Sequence, residues 1–138
     1  MNSPVTVDAS VFVNAFSPTE EGSDQSFEII TRLRDEGIPI IQPTLFIPEV
    51  IASVARKKDN PKLALELAQE LRNFSSLTLV ALDENLADFA SEVAANNRLR
   101  GSDAVYAAVA LRFGTELITL DKEQLDRLPK VLSVRMPK

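Results

Sequence analysis

Four acids stand where chemistry could gather along this chain: Asp8, Glu49, Asp103 and Asp121. Each lies at or within one turn of an expected helix start, and Asp8 and Asp121 also close expected strands. Hydroxyls accompany three of them: Ser10 near Asp8, Ser102 beside Asp103 and Thr119 near Asp121. Helix N-termini favour negative charge and Asp is among the commonest N-cap residues, so stability alone accounts for any one acid taken singly. It does not account for the hydroxyls, or for the recurrence of one arrangement.

If the four acids converge, mutual repulsion raises their pKa values unless something positive joins them. A hard divalent cation is the natural counter-charge. Mg²⁺, or Mn²⁺ in its place, takes oxygen ligands and is usually held by one or two carboxylates plus waters, leaving room for a substrate phosphate. Such a site suits metal-assisted phosphodiester hydrolysis, with a divalent ion to activate a water and a carboxylate to orient it. The phosphates then need cations at the rim, for which Arg56, Lys57, Lys58, Arg98, Arg100 and Lys122 are candidates; the plainer reading of each is a solvated surface charge.

The composition narrows the alternatives. Cysteine and histidine are both absent, which removes disulfides, thiolate nucleophiles, Ser-His-Asp triads and Cys/His zinc sites. A net charge of −5 argues mildly against broad, sequence-independent binding to nucleic acid. At 138 residues, 45% apolar and 25% charged, the chain reads as one globular domain over 1–138. The first residues lack a basic leader, and the longest apolar run, Ala104 to Leu111, is too short to cross a bilayer, so a cytoplasmic protein with no membrane partner is expected.

The elements that must position the acids follow from hydrophobic spacing. Val5 and Val7 suit a buried strand that halts on Asp8 and turns at once into a helix carrying Val11, Phe12, Ala15 and Phe16. After a loop from Ser17 to Ser23, a helix capped by Asp24 or Ser26 buries Phe27, Ile30 and Leu33 and stops at Gly37. Ile38, Ile40 and Ile41 form a second strand closed by Pro43. A loop through Leu45 to Ile47 leads to a helix opened by Pro48-Glu49, with Val50, Ile51, Val54 and Ala55 buried and Arg56 to Lys58 in its last turn.

Asn60-Pro61 starts a helix whose stripe is Leu63, Leu67 and Leu71 with Ala64 and Ala68. Leu77 to Leu82, nearly all apolar, reads as a strand buried on both faces. Asp83 caps the next helix, which buries Leu86, Phe89, Ala90 and Val93, and Gly101-Ser102-Asp103 opens another that ends at Gly114. Leu117 to Leu120 is the fourth strand, Gln124 to Leu128 a helical turn, and Val131 to Val134 the last strand. Strands separated by helices, with no hairpin signals, predict an α/β fold with a parallel sheet covered on both faces.

Taken together, V-D-A-S-V-F-V-N-A-F, P-E-V-I-A-S-V-A-R, G-S-D-A-V-Y-A-A-V-A and L-I-T-L-D resemble the successive motifs of PIN-domain ribonucleases, above all the VapC-type toxins of toxin–antitoxin pairs. The likeness runs from Val5 to Asp121. It implies a three-layer PIN-like fold, with a five-stranded parallel sheet in the order 3-2-1-4-5, and a topological switch point beside Asp8. It also implies that Asp8, Glu49, Asp103 and Asp121 are the first to fourth family acids, catalytic and metal-holding, with Asp8 and Asp103 the main Mg²⁺ ligands and Ser10 and Thr119 the supporting polar residues. The partners it implies are an RNA substrate, a second copy in a homodimer and a VapB-type antitoxin. Two other readings fit the same acids: a catalytically idle PIN-like binding module, and a solitary PIN nuclease without an antitoxin. A receiver-like phosphoacceptor also places acids at strand ends, but receivers pair neighbouring acids at the first strand, and Asp8 follows Val7.

Overall fold

The computed structural model describes residues 3–138. Five strands, β1 (Val5–Val7), β2 (Ile40–Pro43), β3 (Leu77–Val80), β4 (Glu116–Ile118) and β5 (Val134–Arg135), pair in the order β3-β2-β1-β4-β5, every pair parallel. The α/β fold and the strand order are those expected. Strand β1 lies in the middle, and all three of its residues are buried, which is why V-T-V carries no exposed position. The chain lays down β2 and β3 on one side of β1 and returns to lay down β4 and β5 on the other. The reversal opens a crevice beyond the carboxyl ends of β1 and β4.

The helices fall into two packed sets. One comprises α1 (Ala9–Ala15), α2 (Ser23–Asp35), α3 (Phe46–Lys58) and α4 (Pro61–Arg72), with α1 against α2 and α3, and α3 against α4. The other is α5 (Glu84–Asn97) on α6 (Gly101–Phe113), and α6 lies on β1, β2 and β4. Helix α6 is buried at every position from Asp103 to Ala110, so that stretch has no exposed face, and its alanines allow the close approach. Phe12 of α1 meets Phe46 of α3 edge-on, ring centroids 4.7 Å apart, fixing the first acid's helix against the second's. Short α7 (Lys122–Arg127) joins β4 to β5.

Several expected boundaries move. Helix α2 is opened by Gly22 in the left-handed conformation, φ 80°, one residue before Ser23, so neither Asp24 nor Ser26 caps it. Its buried face is Ser23, Ser26, Ile29, Ile30 and Leu33, leaving Phe27 55% exposed. Helix α3 starts at Phe46, turning Phe46 and Ile47 from loop into first turn with Pro48 still early enough to be tolerated. In α4 Leu63 is exposed, while Ala64 and Leu71 are buried. Strand β3 is not buried on both faces: the sheet order makes it an edge, with Thr78 and Leu79 exposed. Strand β4 ends at Ile118, so Asp121 follows it by a short loop and caps α7, and β5 is confined to Val134–Arg135.

Candidate active site

Asp8 is held by what the ends of β1 and β4 do to the backbone around it. Val7 pairs with Ile118, and the Asp8 N–H donates to Ile118 O at 2.9 Å, so β4 reaches the turn where Asp8 caps α1. On the other side the β1–β2 ladder stops after Val5 and Ile40, and the side chain of Gln42 takes over. Its Nε2 donates to Val7 O at 2.6 Å and its Oε1 accepts from Val7 N–H at 2.7 Å, a side-chain amide standing in for a strand. Gln42 is fully buried, and nothing in the apolar pattern singled it out as a support for Asp8.

Two hydroxyls complete the support. Ser10 Oγ donates to Asp8 Oδ2 at 2.5 Å and accepts from Leu120 N–H at 3.2 Å; Thr119 Oγ1 donates to the same Oδ2 at 3.1 Å and accepts from Asp121 N–H at 3.0 Å. Each hydroxyl has one proton and gives it to Asp8, so its lone pairs are free to dock the loop after β4. No hydrogen bond among the described residues goes to Asp8 Oδ1. Burial pushes the Asp8 carboxyl above the usual range, the Ser10 and Thr119 bonds oppose that, and the charge of Asp121 adds to it.

Asp103 sits in the first turn of α6 and is buried. Its Oδ1 accepts from Gln124 Nε2 at 3.2 Å and its Oδ2 from Arg100 Nε at 3.0 Å. Burial first, then the charges of Asp8 and Asp121, raise its pKa to about 6 against the pull of Arg100. Glu49, in the first turn of α3, accepts on Oε1 from the Tyr106 hydroxyl at 2.7 Å. Its pKa is raised by burial, countered by the Tyr106 bond, and raised further by Asp8. Asp121 caps α7 through a long 3.4 Å bond from Glu123 N–H, while its Oδ2 is shut off from solvent with no hydrogen bond and lies 3.5 Å from Arg100 Nη2.

A cleft of about 670 Å³ therefore takes Asp8, Ser10, Glu49 and Asp103 into one wall, with Asn14, Arg56, Lys57 and Arg100 around it. Asp121 lies behind, joined to the cleft by Arg100 and Thr119. Of the basic candidates, Arg56, Lys57 and Arg100 line this cleft. Lys58 instead borders a groove with Leu63, Arg98 lies near Arg127, and Lys122 is exposed outside the lining.

Gln124, Tyr106 and Asn14 escaped the sequence reading. All three are buried polar side chains within helical spacing that looks merely structural, and the available signal was a polar group placed where the helix face is otherwise apolar. Asn14 donates to Glu21 O at 3.0 Å and accepts from Ser26 Oγ at 2.7 Å, tying the α1–α2 loop to the cleft, where Glu20 then meets Lys57 at 2.6 Å.

The donor set is all oxygen, the charges of Asp8 and Asp121 raise the pKa values of carboxylates beside them, and Asp121 Oδ2 is an orphan; these features fit a hard divalent cation. Among the described residues, however, no three acids stand at ligand spacing around one point while Arg100 lies between Asp103 and Asp121. Mg²⁺ needs only one or two carboxylates with water, so the fit holds without a closed cage.

No helix of the described residues is long and apolar enough to cross a membrane. No curated protein matches the sequence. Among solved structures, the chain is similar to a DNA-bound VapBC from Salmonella typhimurium, at 16% identity and TM-score 0.72 over 100% of both chains. It is similar to a toxin–antitoxin complex from Klebsiella pneumoniae, at 17% identity and TM-score 0.68 over 97% of this chain and 98% of that one. VapC20 of Mycobacterium tuberculosis, described as a sarcin–ricin loop cleaving toxin, aligns at 16% identity and TM-score 0.68 over 86% of this chain and 90% of its own. The family model of the PIN domain matches residues 5–131, and the chain belongs to the PIN domain family.

Proposed function

We propose that this chain, as one PIN-like unit over 1–138, is a divalent-metal-dependent endoribonuclease, using Mg²⁺ or Mn²⁺, and the toxin of a VapBC-type module. The observation that carries the reading is the meeting of Asp8, Glu49 and Asp103 in one cleft whose rim also holds Arg56 and Lys57. Asp8 and Asp103 would hold the metal, with Glu49 and Asp121 acting through water. A bound divalent ion supplies Lewis acidity and a more acidic water. Glu49 would orient the attacking water and take its proton; its bond from Tyr106 and its raised pKa, nearer the working range of a base, support that role. Ser10 and Thr119 keep Asp8 Oδ2 occupied, which leaves Oδ1 for the cleft. Arg56 and Lys57 are the cations for the flanking phosphates.

The toxin–antitoxin and VapBC structures among its neighbours support a VapB-type antitoxin as partner; a homodimer working in the cytoplasm is part of the same proposal. The test is RNA cleavage by chelator-treated protein with Mg²⁺ or Mn²⁺ restored, beside Asp8→Asn and Asp103→Asn prepared identically. Cleavage that persists in both variants, or in chelator, sinks the reading.

Among the described residues no three acids stand at ligand spacing, which favours one rival, a catalytically idle binding module. Calorimetric titration with Mn²⁺ separates them, because an idle scaffold shows no saturable site.

A further inference from the structure

Arg100 holds the place where the acids' charge has to be balanced. Its backbone caps α6, three residues before Asp103, with φ −66° and ψ 154°. Its Nε donates to Asp103 Oδ2 at 3.0 Å while Nη2 lies 3.5 Å from Asp121 Oδ2. That second oxygen is inaccessible to water and makes no hydrogen bond, so the guanidinium is its one ionic contact among the described residues. A monocation thus spans two carboxylates from different elements of the fold. Arg100 is also easy to remove: its side chain is 69% exposed, and it donates to no other side chain or backbone group among the described residues.

We propose that Arg100 is the resident counter-charge of the metal-free site, its guanidinium bridging Asp103 and Asp121 until a divalent cation displaces it. The proposal rests on the reading of the cleft as a metal centre. A guanidinium and a dication cannot share the same carboxylate lone pairs, and at close range they repel. An ion that takes the Asp103 lone pair held by Arg100 must therefore break the bridge, and the intact bridge lowers the apparent affinity for metal. The rival role is opposite in sign. If Arg100 instead orients Asp103 for the metal, removing it weakens binding.

The experiment titrates Mn²⁺ by calorimetry into chelator-treated full chain, comparing wild type, Arg100→Gln and Arg100→Lys, with thermal melts of each in chelator and in Mn²⁺. Arg100→Gln is expected to bind Mn²⁺ about 1.5- to fivefold tighter than wild type, the range set by the loss of one partly exposed ion pair. Its melting temperature falls in chelator, and the rise on adding Mn²⁺ is larger than for wild type. Arg100→Lys keeps the charge but loses the fork that spans two carboxylates, so it shows a smaller tightening and serves if the Gln variant does not fold. Unchanged or weaker Mn²⁺ binding in the variants, with wild type binding normally, overturns the role of Arg100 alone. Absence of saturable Mn²⁺ binding in all three overturns the metal-centre reading and this proposal with it.

Discussion

The Tyr106 hydroxyl donates to Glu49 Oε1 at 2.7 Å, linking the middle of α6 to the first turn of α3 across the cleft wall. Tyr106 is fully buried, so this bond, and not solvent, fixes the direction in which Glu49 points. Tyr106→Phe removes one oxygen and keeps the ring. RNA cleavage should fall roughly tenfold, the size typical of losing a group that orients a metal-site side chain. Stability should fall by about 0.5–1.5 kcal/mol in urea unfolding. A packing defect alone would leave the pH profile where it was. Because the Tyr106 bond lowers the Glu49 pKa, its loss should move the acidic limb of the pH–rate profile upward.

Asp8 separates a cap from a functional acid. An N-cap aspartate replaced by Asn loses little, since both accept the same hydrogen bond. Here burial makes the charge itself costly, so Asp8→Asn should raise the melting temperature at pH 7 while Ser10 and Thr119 still find an oxygen. Metal-dependent cleavage should fall by at least about a hundredfold, the upper end of what even outer-shell groups of metal sites contribute. Both values come from one preparation, by melting and by cleavage of a labelled RNA. A variant that is less stable and fully active would make Asp8 a cap and nothing more.

Asp103 gives the metal-free protein a pH dependence of definite sign. Its pKa rises from 3.8 to about 6 on folding, so between those values the native chain holds a proton that the unfolded chain has lost. The stability this group contributes is complete below about pH 4 and is lost as pH climbs through about 6. In chelator, Asp103→Asn should therefore match wild type near pH 4 and exceed it near pH 7 by on the order of 1–3 kcal/mol. Urea midpoints at the two pH values measure it. Restoring Mg²⁺ or Mn²⁺ at pH 7 should stabilise wild type and not the variant, shrinking the gap.

The fold was legible because its signals are local. The β-branched residues of β1, the proline start of α4 and the Asp83 cap of α5 each have a one-residue cause. The meeting of Asp8, Glu49 and Asp103 in one cleft follows from strand order, which the sequence carried through its likeness to a family more than through spacing. What escaped was set by tertiary context. Phe27 and Leu63 satisfy helical periodicity yet lie outward, because periodicity gives a face and not what covers it. Leu77 to Leu82 reads as a strand buried on both faces because it is apolar, although sheet order makes β3 an edge. Gln124 and Tyr106 support the acids from positions distant in sequence, and no single-sequence pattern marks such pairs.

Gln42 offers the sharpest test of how the first acid is positioned. Its amide satisfies both the N–H and the C=O of Val7, the residue immediately before Asp8, in a fully buried place that water does not reach. Gln42→Met preserves volume and strand propensity but strands two backbone groups at once. Each buried group left without a partner costs about 1–3 kcal/mol, so unfolding should require roughly 2–6 kcal/mol less. Gln42→Glu, which keeps an acceptor for Val7 N–H but sets a carboxylate against Val7 O, should also be destabilised, and more so as pH rises through the carboxylate range. In either variant the end of β1 loosens, and cleavage should fall further than the loss of folded protein explains. Amide exchange at Val7, measured beside activity, decides the matter: faster exchange with normal turnover per folded molecule would separate Gln42 from the placement of Asp8.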